Sequence, residues 1–256
     1  MDWRQISIVM ITLNAADVIE PTLAGLPPVR EILVVDGGST DATVSIAQKY
    51  GARVLTRAFT SFVDQKTWAI RQAMSEWVLL LDADERVSQM LIDAVERLHP
   101  PVDVAGYRIA RRNFFLGKWI RSGGWWPDAK VRLFRRDRAR VVAAGRRVHE
   151  HIEVDGKTAT LSGYLIHESY RTLDDVQQKI RLYATLSALD LYERGRRSRW
   201  FHRWCLPVWN WMYTGIVRGA LFNGRCGWWV AYLAAANAWW KYRKLWELER
   251  YHRPHS

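Results

Sequence analysis

The sequence predicts an α/β protein built on a mostly parallel sheet, with a separate helical segment after residue 195. Three observations carry that expectation. Short continuous apolar runs alternate with amphipathic stretches over the first hundred residues, polar residues gather where the apolar runs end, and tryptophan and positive charge concentrate near the C-terminal end. The chain has 256 residues, 49% hydrophobic and 25% charged, which is core-forming material and not the composition of a disordered chain. Two cysteines, Cys205 and Cys226, supply neither a disulfide framework nor a four-ligand zinc site, so a reducing compartment is expected.

Taken in order, Ile6-Ser7-Ile8-Val9-Met10-Ile11 is the first strand. The apolar-leaning stretch 6–13 is eight residues long and reads as a buried strand, not a signal peptide. Ile32-Leu33-Val34-Val35 and Val78-Leu79-Leu80-Leu81 repeat the pattern, and Arg53-Val54-Leu55 is a weaker edge candidate. Continuous apolar runs mark strands covered on both faces, as in a parallel sheet. Helices are expected over 18–26, 40–50 and 64–74, the second capped by Thr40-Asp41 and closed by Gly51. This is a Rossmann-like wind, with ligands at the carboxyl ends of the strands.

Beyond Pro100-Pro101 the segments 106–111, 130–134 and 151–154 alternate like half-exposed strands, around a Gly- and Trp-rich loop at 117–127. A helix is expected over 173–193, with Asp174 and Asp175 in its first turn and Gly195 at its end. Residues 196–256 hold eleven Lys/Arg against two Glu, most of the net charge of +12, and nine of the fifteen tryptophans. That mixture suits an anionic membrane surface, with nucleic acid as the rival partner. The uncharged stretches 204–217 and 226–240 are 14 and 15 residues long. Spanning a bilayer takes about 20, so two short interfacial or re-entrant helices are expected. A buried helical hairpin closing the core is the plainer alternative.

The most informative stretch is Leu79-Leu80-Leu81-Asp82-Ala83-Asp84-Glu85. Two carboxylates one residue apart at a strand end converge on a hard cation, and Mg²⁺ or Mn²⁺ there would stabilise a diphosphate leaving group. The plain alternative is that Asp84 caps a helix beginning near Ser88. The second strand ends Val35-Asp36-Gly37-Gly38-Ser39-Thr40-Asp41 and the first ends Ile11-Thr12-Leu13-Asn14. No Gly-x-Gly-x-x-Gly and no Walker lysine is present, which disfavours dinucleotide and P-loop readings.

Over roughly residues 6–98 this set resembles the family 2 glycosyltransferases of the GT-A fold. Their signatures are Thr-x-Asn, Asp-(Asp/Gly)-Gly-Ser-Thr-Asp and Asp-x-Asp at three strand ends. Trp126-Pro127-Asp128, Arg132-Leu133-Phe134-Arg135-Arg136 and Val148-His149-Glu150 resemble, in order, the subgroup of lipopolysaccharide core β-1,4-glucosyltransferases. Trp126 departs from the usual aromatic before Pro-Asp, and Gly37 stands where many members carry a second base-contacting aspartate.

The resemblance implies a catalytic domain over 1–195, with a nucleotide-sugar half at 1–99 and an acceptor half at 100–195, and the basic, Trp-rich composition of 196–256 makes that stretch a membrane-association segment. It places Thr12 and Asn14 near the nucleoside, Asp36 on the base N–H, Lys66 at the diphosphate, Asp82 on ribose or metal, and Asp84 on the metal. Lys66 could equally be a solvated lysine on a helix face. Asp128 is the expected general base for the acceptor hydroxyl. Its plain alternative is a loop aspartate paired with Arg132 or Lys130, and Glu150 is the reserve base. His149 and His151 read as structural. Arg132, Arg135 and Arg136 read equally as phosphate binders or as a solvated strand face, and Gln178-x-x-Arg181 is given no role because Leu182 breaks that motif.

The implied activity is inverting transfer of a hexose, glucose first, from a UDP-linked donor to a lipopolysaccharide inner-core or other lipid-linked saccharide. The expected place is the cytoplasmic face of a bacterial inner membrane, with a divalent metal as cofactor. Expected partners are the nucleotide-sugar donor, the lipid-linked acceptor and the anionic membrane surface, without nucleic acid. The alternatives are a transferase acting on polyprenyl phosphate or a capsule intermediate, and a non-catalytic membrane-binding protein with a degenerate transferase domain.

Overall fold

The computed structural model describes residues 1–146 and 149–251. The chain packs as two compact units: one of Met1–Arg111, Asp128–Ala144 and Glu150–His167, the other chiefly of Arg112–Pro127 and the chain from Glu168 on. The sequence reading divides the chain at 195–196. By packing, the Trp-rich loop and the long helix after it belong with the C-terminal helices.

In the first unit the strands β1 (Ile6–Thr12), β2 (Glu31–Asp36), β3 (Arg53–Thr56) and β4 (Trp77–Leu80) form the parallel part of the sheet, in the order β3-β2-β1-β4. Side chains alternate between two cores. Ile6, Ile8, Met10, Val34 and Leu79 enter one, and Val9, Leu33, Val35, Val78 and Leu80 enter the other. Both faces are covered, which is why these strands are apolar throughout. The register sets Thr12 beside Asp36 and Val9 beside Leu80, so the carboxyl ends of β1, β2 and β4 lie side by side.

The helices α1 (Ala16–Ala24), α2 (Thr43–Lys49) and α3 (Phe62–Gln72) are offset from the expected spans. Ser61 starts α3 early, its hydroxyl accepting from the Asp64 N–H. Asp41 starts α2 late because its carboxylate accepts from the Ala16 and Thr43 N–H groups and stays in the preceding turn. After β5 (Glu85–Val87), α4 (Gln89–Glu96) is capped by Ser88, whose hydroxyl accepts from Leu91 N–H, so Asp84 is not that helix's cap.

The sheet continues in the order β8-β6-β11-β5, with β4–β8, β6–β8 and β11–β5 antiparallel, where β6 is Val104–Phe115, β8 is Lys130–Arg135 and β11 is Lys157–Tyr170. In the second unit the hairpin partner of the end of β6 is β7 (Lys118–Trp119). A separate two-stranded sheet joins β9 (Ala139–Arg146) to β10 (His149–Val154). Of the Val148-His149-Glu150 motif, Val148 lies outside the described residues.

The second unit holds α5 (Leu173–Glu193), α6 (Trp200–Met212) and α7 (Arg225–Tyr251). The α5 span matches the expectation, fixed by a reciprocal cap between Thr172 and Asp175. α7 is 27 residues long, not a short helix, because it runs past the uncharged stretch into a charged last third. It buries Val230 and Leu233 with Phe115, Ile120, Val176 and Ile180. Gly227 is required there, since a Cβ would stand 1.8 Å from the Ala220 carbonyl oxygen. α6 buries no residue. No helix among the described residues is long and apolar enough to cross a membrane.

Candidate active site

The ends of β1 and β2 are tied together around Asp36. Thr12 Oγ1 donates to its Oδ1 at 3.0 Å, as does Ser39 Oγ at 2.5 Å, while the Gly38 and Ser39 N–H groups donate to Oδ2 at 2.9 and 2.7 Å. Burial penalises the Asp36 charge, but the bonds from Ser39, Gly38 and Thr12 outweigh it and hold the carboxyl below the ordinary aspartate range. Four donors use the accepting capacity of a carboxylate, so Asp36 shapes this loop from within. The turn needs φ = +101° at Gly38, which a side chain would strain. Asn14 sits at φ = +48°, a conformation asparagine tolerates, and its Oδ1 accepts from Thr40 N–H at 2.9 Å.

Beyond this loop lies a chain of alternating charges. Glu150 accepts from Lys66 Nζ at 2.7 Å, and Lys66 also reaches Asp82 at 3.1 Å. Asp82 meets Arg132 at 2.8 Å, Arg132 meets Glu85 at 2.6 Å, and Glu85 meets Arg111 at 2.9 Å. Arg111 Nε then donates to Asp128 Oδ2 at 2.9 Å. Seven side chains from α3, the end of β4, β5, β6, β8 and β10 are joined in this way, all in the first unit. Charges taken out of water persist only when paired like this, and removing one member typically costs about 3–5 kcal/mol.

Lys66 is 5% exposed, so the solvated-lysine alternative does not hold. Burial lowers its proton affinity, yet the Asp82 and Glu150 carboxylates more than compensate and keep it above the ordinary lysine value. Asp82 lies well below its ordinary range: burial opposes the charge, and the Arg132 and Lys66 cations prevail. Arg132 is 4% exposed and is not part of a solvated face. Asp128 is paired, as its plain alternative required: its carboxylate accepts from Arg111, and it also attracts Arg132 and Lys130. Arg135 stacks on Trp77 at 4.8 Å and pairs with Glu76, a structural role.

Asp84 adjoins this chain, two residues after Asp82. Its Oδ2 lies 3.4 Å from His167 Nε2. His167 comes from β11, whose register sets it opposite Glu85 on β5. Among the described residues no group of three or more His, Cys, Asp or Glu is placed to hold a metal. A carboxylate and an imidazole do form a partial O,N donor set that fits Mn²⁺ better than the oxygen-preferring Mg²⁺, with remaining positions open to water and substrate phosphate. Sequence reasoning missed Glu85, Arg111 and His167. Glu85 directly follows Asp82-Ala83-Asp84 and was within reach; the other two are single polar residues on strands, with no local signal.

Residues 7–149 match the family model described as glycosyl transferase family 2. The chain belongs to glycosyl transferase family 2. This family 2 transferase is 29% identical over 203 residues to the lipopolysaccharide core biosynthesis glycosyltransferase LpsC of Rhizobium meliloti, covering 77% of this chain and 75% of the relative. An uncharacterized glycosyltransferase of Rickettsia typhi is 28% identical over 227 residues, covering 84% of this chain and 77% of its own length. Among solved structures, the Staphylococcus aureus TarS 1–349 complex with UDP aligns at TM-score 0.48 and 15% identity, covering 98% of this chain and 93% of that one. The matched span takes in Thr12, Asn14, Asp36, Lys66, Asp82, Asp84 and Asp128 and stops before Glu150.

Proposed function

We propose that this family 2 transferase moves a hexosyl group, glucose first, from a UDP-linked donor to a lipid-linked saccharide of the lipopolysaccharide inner-core kind, with inversion at the anomeric carbon. The observation that carries the reading is the Asp84–His167 pair, 3.4 Å apart after the end of β4 in the same unit as Asp128. The acceptor class rests on the likeness to LpsC, which is named for lipopolysaccharide core biosynthesis.

In this reading Thr12 and Asn14 border the nucleoside, and Asp36 serves it through the loop it shapes as well as through its carboxylate. Asp84 and His167 hold Mg²⁺ or Mn²⁺; bound there, the cation offsets charge on the leaving diphosphate. Lys66 holds Asp82 toward the donor. Asp128 accepts the proton of the attacking acceptor hydroxyl, and Arg111 orients that carboxylate. The test is a donor screen that reads released nucleoside diphosphate, with core-truncated lipopolysaccharide as acceptor and NMR of the product anomer. UDP released from UDP-glucose only when acceptor is present is the expected result. Release with no donor in Mg²⁺ or Mn²⁺ overturns the reading.

The same proposal places the protein on the cytoplasmic face of a bacterial inner membrane, held by α6. Trp200, Trp204, Val208, Met212 and Ile216 recur every fourth residue and are all exposed, beside Phe201, Trp209 and Val217. Such a face, flanked by Arg196, Arg197, Arg199, Arg203 and Arg218, suits indoles at the headgroup level and cations on anionic lipid. Flotation with anionic vesicles at low salt tests it: co-flotation is expected, partly resistant to high salt, and absence of co-flotation overturns the membrane reading.

A further inference from the structure

The turn at 218–224, between α6 and α7, is fastened to the Trp-rich loop of the second unit by a dense set of hydrogen bonds. Asn223 is its centre. That residue is 8% exposed; its Oδ1 accepts from Arg121 N–H at 3.0 Å, and its Nδ2 donates to Ser122 Oγ at 2.6 Å and to the Ala220 carbonyl at 3.0 Å. Its own carbonyl accepts from Lys118 Nζ at 2.8 Å. Ser122 Oγ in turn donates to the Gly219 carbonyl at 2.6 Å, and Gly123 N–H to the Arg218 carbonyl at 2.8 Å. A buried amide whose oxygen and nitrogen are both engaged fixes the backbone around it, so loop and turn form one piece.

What the turn leaves exposed is apolar. Phe222, the neighbour of Asn223, is 92% exposed, more than any other large hydrophobic side chain among the described residues. The exposed Ile216 and Val217 lead into the turn from the end of the α6 face. One exposed ring alone is ordinary, but the charge around this one is one-sided. Neither 112–127 nor 194–246 contains an Asp or Glu, whereas Arg112, Lys118, Arg121, Arg218 and Arg225 fall in the loop, the turn and their margins. An aromatic tip among cations matches an anionic bilayer, where the ring enters the headgroup–acyl boundary and the cations meet lipid phosphate. Nucleic acid would meet the charge but would leave in water Ile216 and Val217, which offer bases no stacking surface. The loop itself runs on through Trp126 and Pro127 into Asp128. We propose that the turn is a second membrane contact, with Phe222 inserted among anionic lipids, and that Asn223 makes the loop leading to Asp128 part of that contact. The proposal rests on the membrane reading given under Proposed function and adds to it: that loop is held at the lipid surface, where a lipid-linked saccharide is presented.

The full-length protein tests this by titration with vesicles of phosphatidylglycerol and phosphatidylcholine at low and high salt, with hydrogen exchange read over 118–125 and 218–224. Phe222→Ser should weaken vesicle affinity by about fivefold to tenfold, a loss that persists at high salt because burial of a ring is not screened. With that ring 92% exposed, the melting temperature of the variant should match wild type. In wild type, bound vesicles should slow amide exchange in both segments. Asn223→Ala should keep the slowing at 218–224 and lose it at 118–125. Ser122→Ala, which removes two of the same bonds from a half-buried position, replaces it if Asn223→Ala does not fold. Unchanged vesicle affinity of Phe222→Ser overturns the contact, and slowing confined to 218–224 in wild type overturns the role of Asn223. Tighter binding to single-stranded DNA than to the vesicles assigns the face to nucleic acid and overturns the proposal. Trp204→Ser separates the two membrane readings. If it weakens binding and Phe222→Ser does not, the α6 reading stands and this one fails; the reverse result leaves the turn as the contact without α6. Wild-type protein that binds no vesicles ends both.

Discussion

In the first unit, seven charged side chains from Glu150 to Asp128 lie in one ion-paired chain at the carboxyl ends of buried strands. In the second unit, α6 turns Trp200, Trp204, Val208 and Trp209 outward, while α7 packs Val230 and Leu233 into a core. Each arrangement runs against the ordinary drive of folding. Desolvating a charge costs several kcal/mol per ion before pairing offsets it, and an exposed large apolar side chain forgoes about 1.5–3 kcal/mol of burial. A second buried carboxylate in the first unit shows what a purely structural cluster looks like. Glu31, near the opposite ends of the strands, accepts from Ser7 at 2.8 Å, Arg53 at 2.6 Å and Met74 N–H at 2.9 Å, and no described cation beside it is left over. The chain at the carboxyl ends differs in adjoining a cavity of about 320 Å³, lined by Lys66, Asp82 and Glu150 among others.

The largest expected effect separates site from scaffold. Asp84→Ala should lower turnover by about 10³-fold or more, and His167→Ala should act in the same direction, with melting temperatures close to wild type. Excess chelator should reproduce the loss, and full activity in chelator would sink the metal assignment. Next, Asp128→Asn keeps shape and hydrogen bonding but removes proton acceptance, so kcat should fall by about 10²–10⁴-fold while donor affinity changes little. A near-normal Asp128→Asn together with an inactive Glu150→Gln transfers the base to Glu150.

Two stability measurements sharpen the contrast further. On α7, Leu233→Ala should cost about 2–5 kcal/mol, because it opens the core shared with Phe115 and Val176. On α6, Trp209→Ala should stay within about 0.5 kcal/mol and act on vesicle binding instead, being 57% exposed. Cutting the chain after Arg197 would remove α7 from that core, so substitution on α6 is the cleaner probe of membrane binding. The smallest effect concerns Glu31→Gln, expected to destabilise by about 1–3 kcal/mol at neutral pH. Burial opposes the Glu31 charge, but Met74 N–H, Arg53 and Ser7 overcome it and hold the carboxyl below its ordinary value. A depressed carboxylate contributes stability above its unfolded pKa and loses it as pH falls through the folded one. The difference between wild type and Glu31→Gln should therefore be flat at neutral pH and shrink below about pH 4, read from urea midpoints.

The parallel strands were legible because both faces of each are covered, which forces apolar residues without interruption. The span of α5 was legible because Thr172, Asp175 and Gly195 punctuate it. β5, β9 and β11 were not. β11 buries few of its fourteen residues and reads as polar and irregular, so neither period stands out. Asp82 and Asp84 could be found because they adjoin a strand end, but their partners could not. The hydrogen bond from Lys66 to Glu150 spans 84 residues, and His167 reaches Asp84 only through the β5–β11 register.

From sequence alone came the fold class, the family and the strand ends that carry the chemistry, since these follow from local periodicity and short motifs. The tertiary structure decided which charges neutralise one another along the chain from Glu150 to Asp128. It also decided which Trp-rich helix faces outward. α6 and α7 both carry tryptophan beside basic residues, and no local pattern separates them. Pairing and burial depend on strand register and helix packing across long separations in the chain, and only the folded protein brings those residues together.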